Sequence, residues 1–192
     1  MCCTVHVLSL PITTARLTIR MMRSEDKPRF LEYRNDPEVA RYQDWEVPFT
    51  EEMAARLIGS QEQYDGPVDD FIVQLAIELE GEVVGDLAVG LYDAGRQATL
   101  GYSIMTSEQR KGLATEAAQA TIDALFEQEG VHRVVATIDP KNLASRRLLE
   151  RLGFRYEGRS VSAAFVRGEW ADDDRFALLA AERAAIKSNG RT

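Results

Sequence analysis

The chain has 192 residues, 45% of them hydrophobic and 28% charged, enough for one well-packed domain and too few for two generous ones. Lys and Arg number 23 against 31 Asp and Glu, a formal net charge of -8, which argues against a general nucleic-acid binder because phosphate-backbone affinity rests on clustered cations. The two cysteines, Cys2 and Cys3, are adjacent, so they offer neither a disulfide framework nor a metal cluster, and a reducing cytoplasm fits.

In chain order, "MCCTVHVLSLPITTA" lacks a positively charged start and a long apolar core and so fits an export signal poorly; lipid attachment at Cys2 or Cys3 is a minor alternative. No run approaches the roughly 18 apolar residues of a membrane span. "ARLTIRMM" (15–22) alternates apolar Leu17, Ile19 and Met21 with Thr18 and Arg20, the pattern of a half-buried strand. Ser24 precedes Glu25 and Asp26 and an apolar set of Phe30, Leu31 and Tyr33, which predicts a capped helix that breaks near Pro37. Thr50 opens a second helix running to about Gln63, and "YDGPVDD" is a loop. "FIVQLAIEL", "EVVGDLAVGLYD" and "QATLGYSIM" then read as three strands of an antiparallel meander. A helix from about Leu113 to Glu129, the strand "HRVVATI", a helix from about Leu143 to Leu152, and strands around "FRYEGRSV" and "RFALLAAE" complete the chain. The implied architecture is an α/β (α+β mixed) domain over 14–183, with a mixed, mostly antiparallel sheet carrying helices on both faces. Residues 1–13 form an extension and 184–192 a polar tail.

The stretch "SEQRKGLATEAAQ" (107–119) places Arg110 and Lys111 beside Gly112 between a strand and a long helix. The first turn of a helix has unpaired N–H groups and a partial positive charge, which together suit a phosphate. Gly112 permits close approach to the main chain, Ala114 keeps the second flank small, and the two cations add charge. A diphosphate is a plausible guest. Neither a P-loop nor a dinucleotide fingerprint is present, and a loop whose glycine merely turns the chain into a helix explains the same residues. A second segment, "ATIDPKNLASRRLLERLGF" (136–154), has Asn142 and Ser145 at a helix start and Gly153 at its end.

Together, the Gln-x-x-Gly-x-Ala loop and the Asn-x-x-Ser…Gly-Phe segment about thirty residues later resemble the GNAT superfamily of acyl-CoA-dependent N-acetyltransferases. The resemblance extends from about Arg16 to Ala181. The stretch "YRNDPEVARYQDWEVPFT" is similar to the amino-terminal half of the RimJ/RimL-type subgroup, which acetylates ribosomal-protein amino termini. The resemblance implies a GNAT-like fold with two splayed strands, acetyl-CoA (coenzyme A) as acyl donor and an amine as acceptor. It places the pyrophosphate on the loop Gln109, Arg110, Lys111, Gly112, Leu113, Ala114 and Thr115, and the pantetheine arm against Ile104, Met105 and Asn142. Asn142 also reads as a plain helix cap, and one side chain can serve both ends.

Direct transfer from a thioester needs a neutral amine, a stabilised carbonyl oxygen and a proton for the departing thiolate. Many superfamily members supply that proton from a tyrosine seven positions after the Asn; this chain has Leu149 there. Ser145, one turn earlier, matches the serine of the RimL subgroup, with water or Tyr102 as alternatives. The carboxylate bases of the family fall on Thr99 and Ala164. An α-amine is about a quarter neutral at about pH 7.4 and a lysine about 0.1%, so the missing base favours an α-amine of a protein or peptide. Asp44 and Glu46, flanking Trp45, are candidates for holding the acceptor's ammonium; a solvated acidic loop with Trp45 packed inward is the competing account. Small-molecule amine acetylation and a non-catalytic acyl-CoA sensor remain open. His6 and His132 share no metal-ligand spacing, so no metal is expected. No nucleic-acid or membrane partner is expected either, and a homo-oligomer is possible.

Overall fold

The computed structural model describes residues 8–127 and 130–189; Cys2, Cys3, His6 and the expected helix end at Glu129 lie outside them. Eight strands form a single sheet in the order β1-β2-β3-β4-β5-β6-β8-β7: β1 (Ile12–Thr13), β2 (Leu17–Met21), β3 (Ile72–Leu79), β4 (Glu82–Tyr92), β5 (Gln97–Ile104), β6 (Arg133–Ile138), β7 (Arg155–Val166) and β8 (Glu169–Leu179). Every neighbouring pair is antiparallel except β5 and β6. The helices are α1 (Lys27–Arg34), α2 (Pro37–Ala40), α3 (Glu51–Gln61), α4 (Leu113–Glu127), α5 (Leu143–Leu152) and α6 (Ala180–Asn189).

The period-two pattern divides the strand side chains between two cores. Leu17, Ile19, Leu75, Ile77, Leu87, Val89 and Leu100 pack with Leu113, Ala117, Ile122 and Leu149 of α4 and α5. Met22, Ala76, Val83 and Met105 pack on the opposite face with Phe30, Tyr33, Ala54 and Ile58 of α1 and α3. The mixed, mostly antiparallel sheet with helices on both faces is therefore the architecture expected.

Several local expectations are corrected. Ser24–Asp26 form a 3-10 turn that leads into α1, so the helix starts at Lys27. Pro37 begins a helix: the Asp36 carboxylate accepts the Glu38 N–H at 2.9 Å, and proline at a first helical position loses no bond. The Thr50 helix starts as expected, with Thr50 Oγ1 accepting the Met53 N–H, and stops at Gln61. Ile12–Thr13, inside the supposed extension, pair with β2, and Leu8 is buried in the larger core. The last two strands form one long hairpin turning at Arg167 and Gly168. "RFALLAAE" does not remain a strand to Glu182: Ala180 opens α6, whose Ala-rich sequence favours helix. The Glu182 carboxylate caps the new helix by accepting the Leu179 N–H at 2.8 Å. Residues 184–189, expected as tail, continue this helix, and Arg183 clamps it to Asp123 of α4 at 2.7 Å.

The feature that positions a site is the single parallel pair. β5 and β6 are joined only over Gln97–Thr99 and Arg133–Val135. Beyond Thr99, β5 stays with β4 up to Ile104, whereas Ala136–Ile138 of β6 stay with β8. The two strands part, leaving a slot whose walls carry unpaired main-chain groups.

Candidate functional site

At one end of the slot lies the basic loop. A 3-10 turn, Thr106–Glu108, closes β5, and Gln109 reaches back so that its Nε2 donates to the Ile104 carbonyl at 3.0 Å. Arg110 and Gly112 both have positive φ, +62° and +82°. The first helical bond of α4 runs from the Glu116 N–H to the Gly112 carbonyl at 3.0 Å. Among the described residues, the main-chain N–H groups from Arg110 to Thr115 therefore have no protein acceptor, which is the expected deficit of a helix start. Arg16 fastens the loop from β2's side: its Nη1 donates to the Lys111 carbonyl at 3.1 Å and its Nε to Glu116 at 2.7 Å. Thr14 Oγ1 donates to the same carboxylate at 2.6 Å. Burial tends to raise the Glu116 pKa, but these donors hold it below the usual carboxylate range. Lys111 is paired with Glu108 at 2.9 Å and half exposed.

Ile104 and Met105 end the β5 wall. Met105 donates its N–H to the Val84 carbonyl at 2.9 Å, and its carbonyl accepts from Glu108. The expectation that Met105 offers main-chain groups to a pantetheine arm is therefore corrected, because pairing with β4 runs one residue further than Ile104. Strand alternation turns the main-chain groups of Ile104 toward the slot, where its carbonyl is already engaged by Gln109 Nε2 and its N–H is the group left for the arm.

Across the slot, Asn142 caps α5, its Oδ1 accepting the Ser145 N–H at 3.0 Å, while Nδ2 has no partner among the described residues. Ser145 is buried, 7% exposed. Its Oγ lies 2.6 Å from the hydroxyl of Tyr102, which rises from β5 on the α5 face. Burial pushes the Tyr102 pKa up to about 12, partly offset by the bond to Ser145. Leu149, at the position of the missing tyrosine, is completely buried in the core. A phenol thus reaches this point from β5 instead of α5. The residue spacing contains no signal for that pairing, since Tyr102 and Ser145 are 43 positions apart.

On the opposite face, Trp45 donates its indole N–H to the Arg34 carbonyl at 3.1 Å and stacks 4.1 Å from the Arg34 guanidinium. Its role there is packing. Arg34 in turn pairs with the fully buried Asp86 at 3.1 Å. Asp44 and Glu46 are exposed. Asp44 lies near Asp173 of β8, whose pKa is raised by burial and by the charges of Asp44, Asp139 and Asp172. Asp173 was not singled out by the sequence because β8 converges on the 41–50 loop only in the folded chain. The β7–β8 turn is strapped to this loop by Arg167, whose Nη2 donates to the carbonyls of Ala40 at 2.5 Å and Gln43 at 2.6 Å. Thr99 sits in the paired part of β5, before the slot opens, and Ala164 faces Ala171 in the hairpin. Among the described residues no His, Cys, Asp and Glu grouping could hold a metal ion.

An acetyltransferase (GNAT) domain model matches residues 16–155. The chain belongs to the GNAT acetyltransferase family. This GNAT chain is 31% identical to an uncharacterised N-acetyltransferase, YnaD, of Bacillus subtilis, over 89% of this chain and 98% of that protein. It is 30% identical to the [ribosomal protein uS5]-alanine N-acetyltransferase of Escherichia coli, over 87% of this chain and 89% of the relative. Among solved structures it resembles Mycobacterium smegmatis RimJ in complex with a CoA disulfide, with a TM-score of 0.73 and 26% identity, covering 90% of this chain and 89% of that one. This GNAT enzyme is an N-acetyltransferase of the RimJ/RimL-like group with acetyl-CoA as acyl donor. Its own geometry fits that donor: a slot with unpaired strand edges for an extended amide-bearing arm, ending at a helix start with open N–H groups for a diphosphate. No described helix is long and apolar enough to cross a membrane.

Proposed function

We propose that this N-acetyltransferase modifies the α-amine of a protein or peptide. The observation that carries this reading is the relation between the slot and the acidic rim. Asp173, gathered with Asp44, Asp139 and Asp172, draws a cationic amine to the face opposite Ser145. Thr99 and Ala164 leave the family's base positions without a carboxylate. An amine of pKa about 7.7 to 8.0 sheds its proton with little help, which a lysine side chain does not. The Escherichia coli relative, a [ribosomal protein uS5]-alanine N-acetyltransferase, supports a protein acceptor.

Bound acetyl-CoA supplies an activated acetyl thioester. The open N–H groups from Arg110 to Thr115 hold its diphosphate, assisted by Arg110, Lys111 and the side chain of Gln109, while Leu113 and Ala114 keep the helix start narrow. Ile104 and Asn142 hold the arm from the two walls. With the donor fixed, the amine forms its bond to the acetyl carbon as the carbon–sulfur bond breaks, and the proton lost by nitrogen ends on sulfur. Ser145, whose Oγ–H faces the departing sulfur, stabilises the charge that develops there. Asp44 and Asp173 hold the ammonium form before it deprotonates; Glu46 adds to the field from the exposed loop.

The carboxylates around Asp173 also suit a polyamine, which is the second reading. A mass-spectrometric screen of acetyl-CoA with peptides beginning in Ala, Ser and Thr, polyamines, free amino acids and aminoglycosides separates the two. Peptide acetylation should exceed polyamine acetylation, with kcat/KM rising through about pH 7.5 to 8.5 as the peptide amine deprotonates. Acetylation of polyamines alone would replace the peptide reading, and the absence of any thiol release would favour a silent acyl-CoA sensor.

A further inference from the structure

We infer that Tyr102 is the positioning residue for Ser145: its phenol donates to Ser145 Oγ, so that the serine's own proton points into the slot toward the departing sulfur. The inference rests on the role given to Ser145 above. Its geometry is independent of that role. The two hydroxyl oxygens are 2.6 Å apart, the serine is 7% exposed, and the phenol is partly buried beside α5. Two hydroxyls at this distance leave open which one donates. The phenol is the stronger acid and the alkyl hydroxyl the better acceptor, so the proton of the bond belongs to Tyr102.

With one Ser145 lone pair engaged, the serine proton must find another acceptor. The Ser145 N–H donates to Asn142 Oδ1 at 3.0 Å, which fixes the backbone of Ser145 at the helix start. A hydroxyl that accepts from a phenol is polarised and becomes a better donor itself. Tyr102 keeps its proton throughout, since its pKa stands at about 12. The amine's proton is the one that reaches sulfur, and the phenol enters and leaves the cycle unchanged. Tyr102 thereby does from β5 what Leu149, buried in the core, cannot do from α5.

The test is a double-mutant cycle on the full chain with its best acceptor. Ser145→Ala should lower kcat about 100-fold, and Tyr102→Phe, which keeps the ring and its packing, about fivefold to tenfold. KM for acetyl-CoA should stay within about twofold in both. The decisive reading is the double variant, which should be no slower than Ser145→Ala alone, because a phenol acting only through the serine has nothing left to position. Losses that multiply, or a Tyr102→Phe variant at the parent rate, overturn the inference while leaving Ser145 in its role. A Ser145→Ala variant at the parent rate overturns the role of Ser145 and the inference with it. Thermal unfolding and calorimetric acetyl-CoA affinity of the same variants show whether a loss reflects folding or donor binding.

Discussion

Gly112 illustrates a single residue fixed by conformation and not by crowding. Its φ of +82° belongs to the left-handed region, and a Cβ there would meet only Arg16 Nη2 at 3.6 Å, an ordinary contact. Any other residue would strain the loop by about 1 to 2 kcal/mol, and an acidic one would add repulsion at the proposed diphosphate site. Gly112→Glu should weaken acetyl-CoA binding at least about tenfold, equivalent to ~1.4 kcal/mol, in calorimetry. Unchanged affinity would remove the loop from the donor site. The glycine and its two cations were legible in the sequence because the motif is contiguous. The partners that brace it, Thr14, Arg16 and Glu116, were not: Arg16 and Glu116 are 100 positions apart, and each alone reads as an ordinary surface charge.

At the scale of the element, α5 joins stability to donor binding through Asn142. Its Oδ1 caps the helix, while Nδ2 has no partner among the described residues. Asn142→Ala should destabilise the protein by about 1 kcal/mol, the usual worth of such a cap, and weaken acetyl-CoA binding as well. Asn142→Asp preserves the capping acceptor but loses the donor, so it should retain the parent unfolding midpoint and still bind acetyl-CoA more weakly. An aspartate variant with parent affinity would confine Asn142 to capping. The ends of this helix were readable, since Asn142 and Gly153, with φ +93°, mark them locally. The hairpin β7–β8 was read too short because the apolar residues of its outer half, among them Val161, Phe165 and Trp170, are exposed and follow no period-two alternation. Cross-strand contact between Phe165 and Trp170, whose ring centroids lie 5.3 Å apart, holds the outer half together.

Across the whole molecule, buried ion pairs between distant segments set the response to acid. Asp26 would be raised by burial, but Arg20 and the Arg23 N–H overcome this and hold its carboxyl below the usual carboxylate range. Asp123, tied to Arg183 and Lys187, is lowered in the same way against burial. When the folded pKa lies below the unfolded one, the unfolded chain takes up the proton first. The stability from these groups is complete above about pH 4 to 5 and is lost as pH falls through the folded values. Arg20 bonds both Asp26 at 2.7 Å and Glu78 at 2.8 Å, and is 13% exposed. Arg20→Met should reduce unfolding stability by about 2 kcal/mol at about pH 7. That difference should narrow below about pH 4 as Asp26 protonates; urea unfolding of parent and variant across this range would show it. A constant difference would mean that Arg20 contributes by packing and not by charge.

By itself the sequence determined the chemistry of the donor half. Alternating strands, capped helices and the loop at Gly112 are set by residues within a few positions of one another, where local sterics and hydrogen bonding act. The resemblance those local features carry led to acetyl-CoA. Only the tertiary structure decided where β5 and β6 part, which depends on the two strands choosing β4 and β8 as partners beyond Thr99 and Val135. The same folding brought Tyr102 to Ser145, Asp44 to Asp173 and Arg16 to Glu116. Such pairs are made by sheet order and helix packing, which close distances of tens to more than a hundred residues, and no local pattern encodes which distant side chain will fill the remaining space.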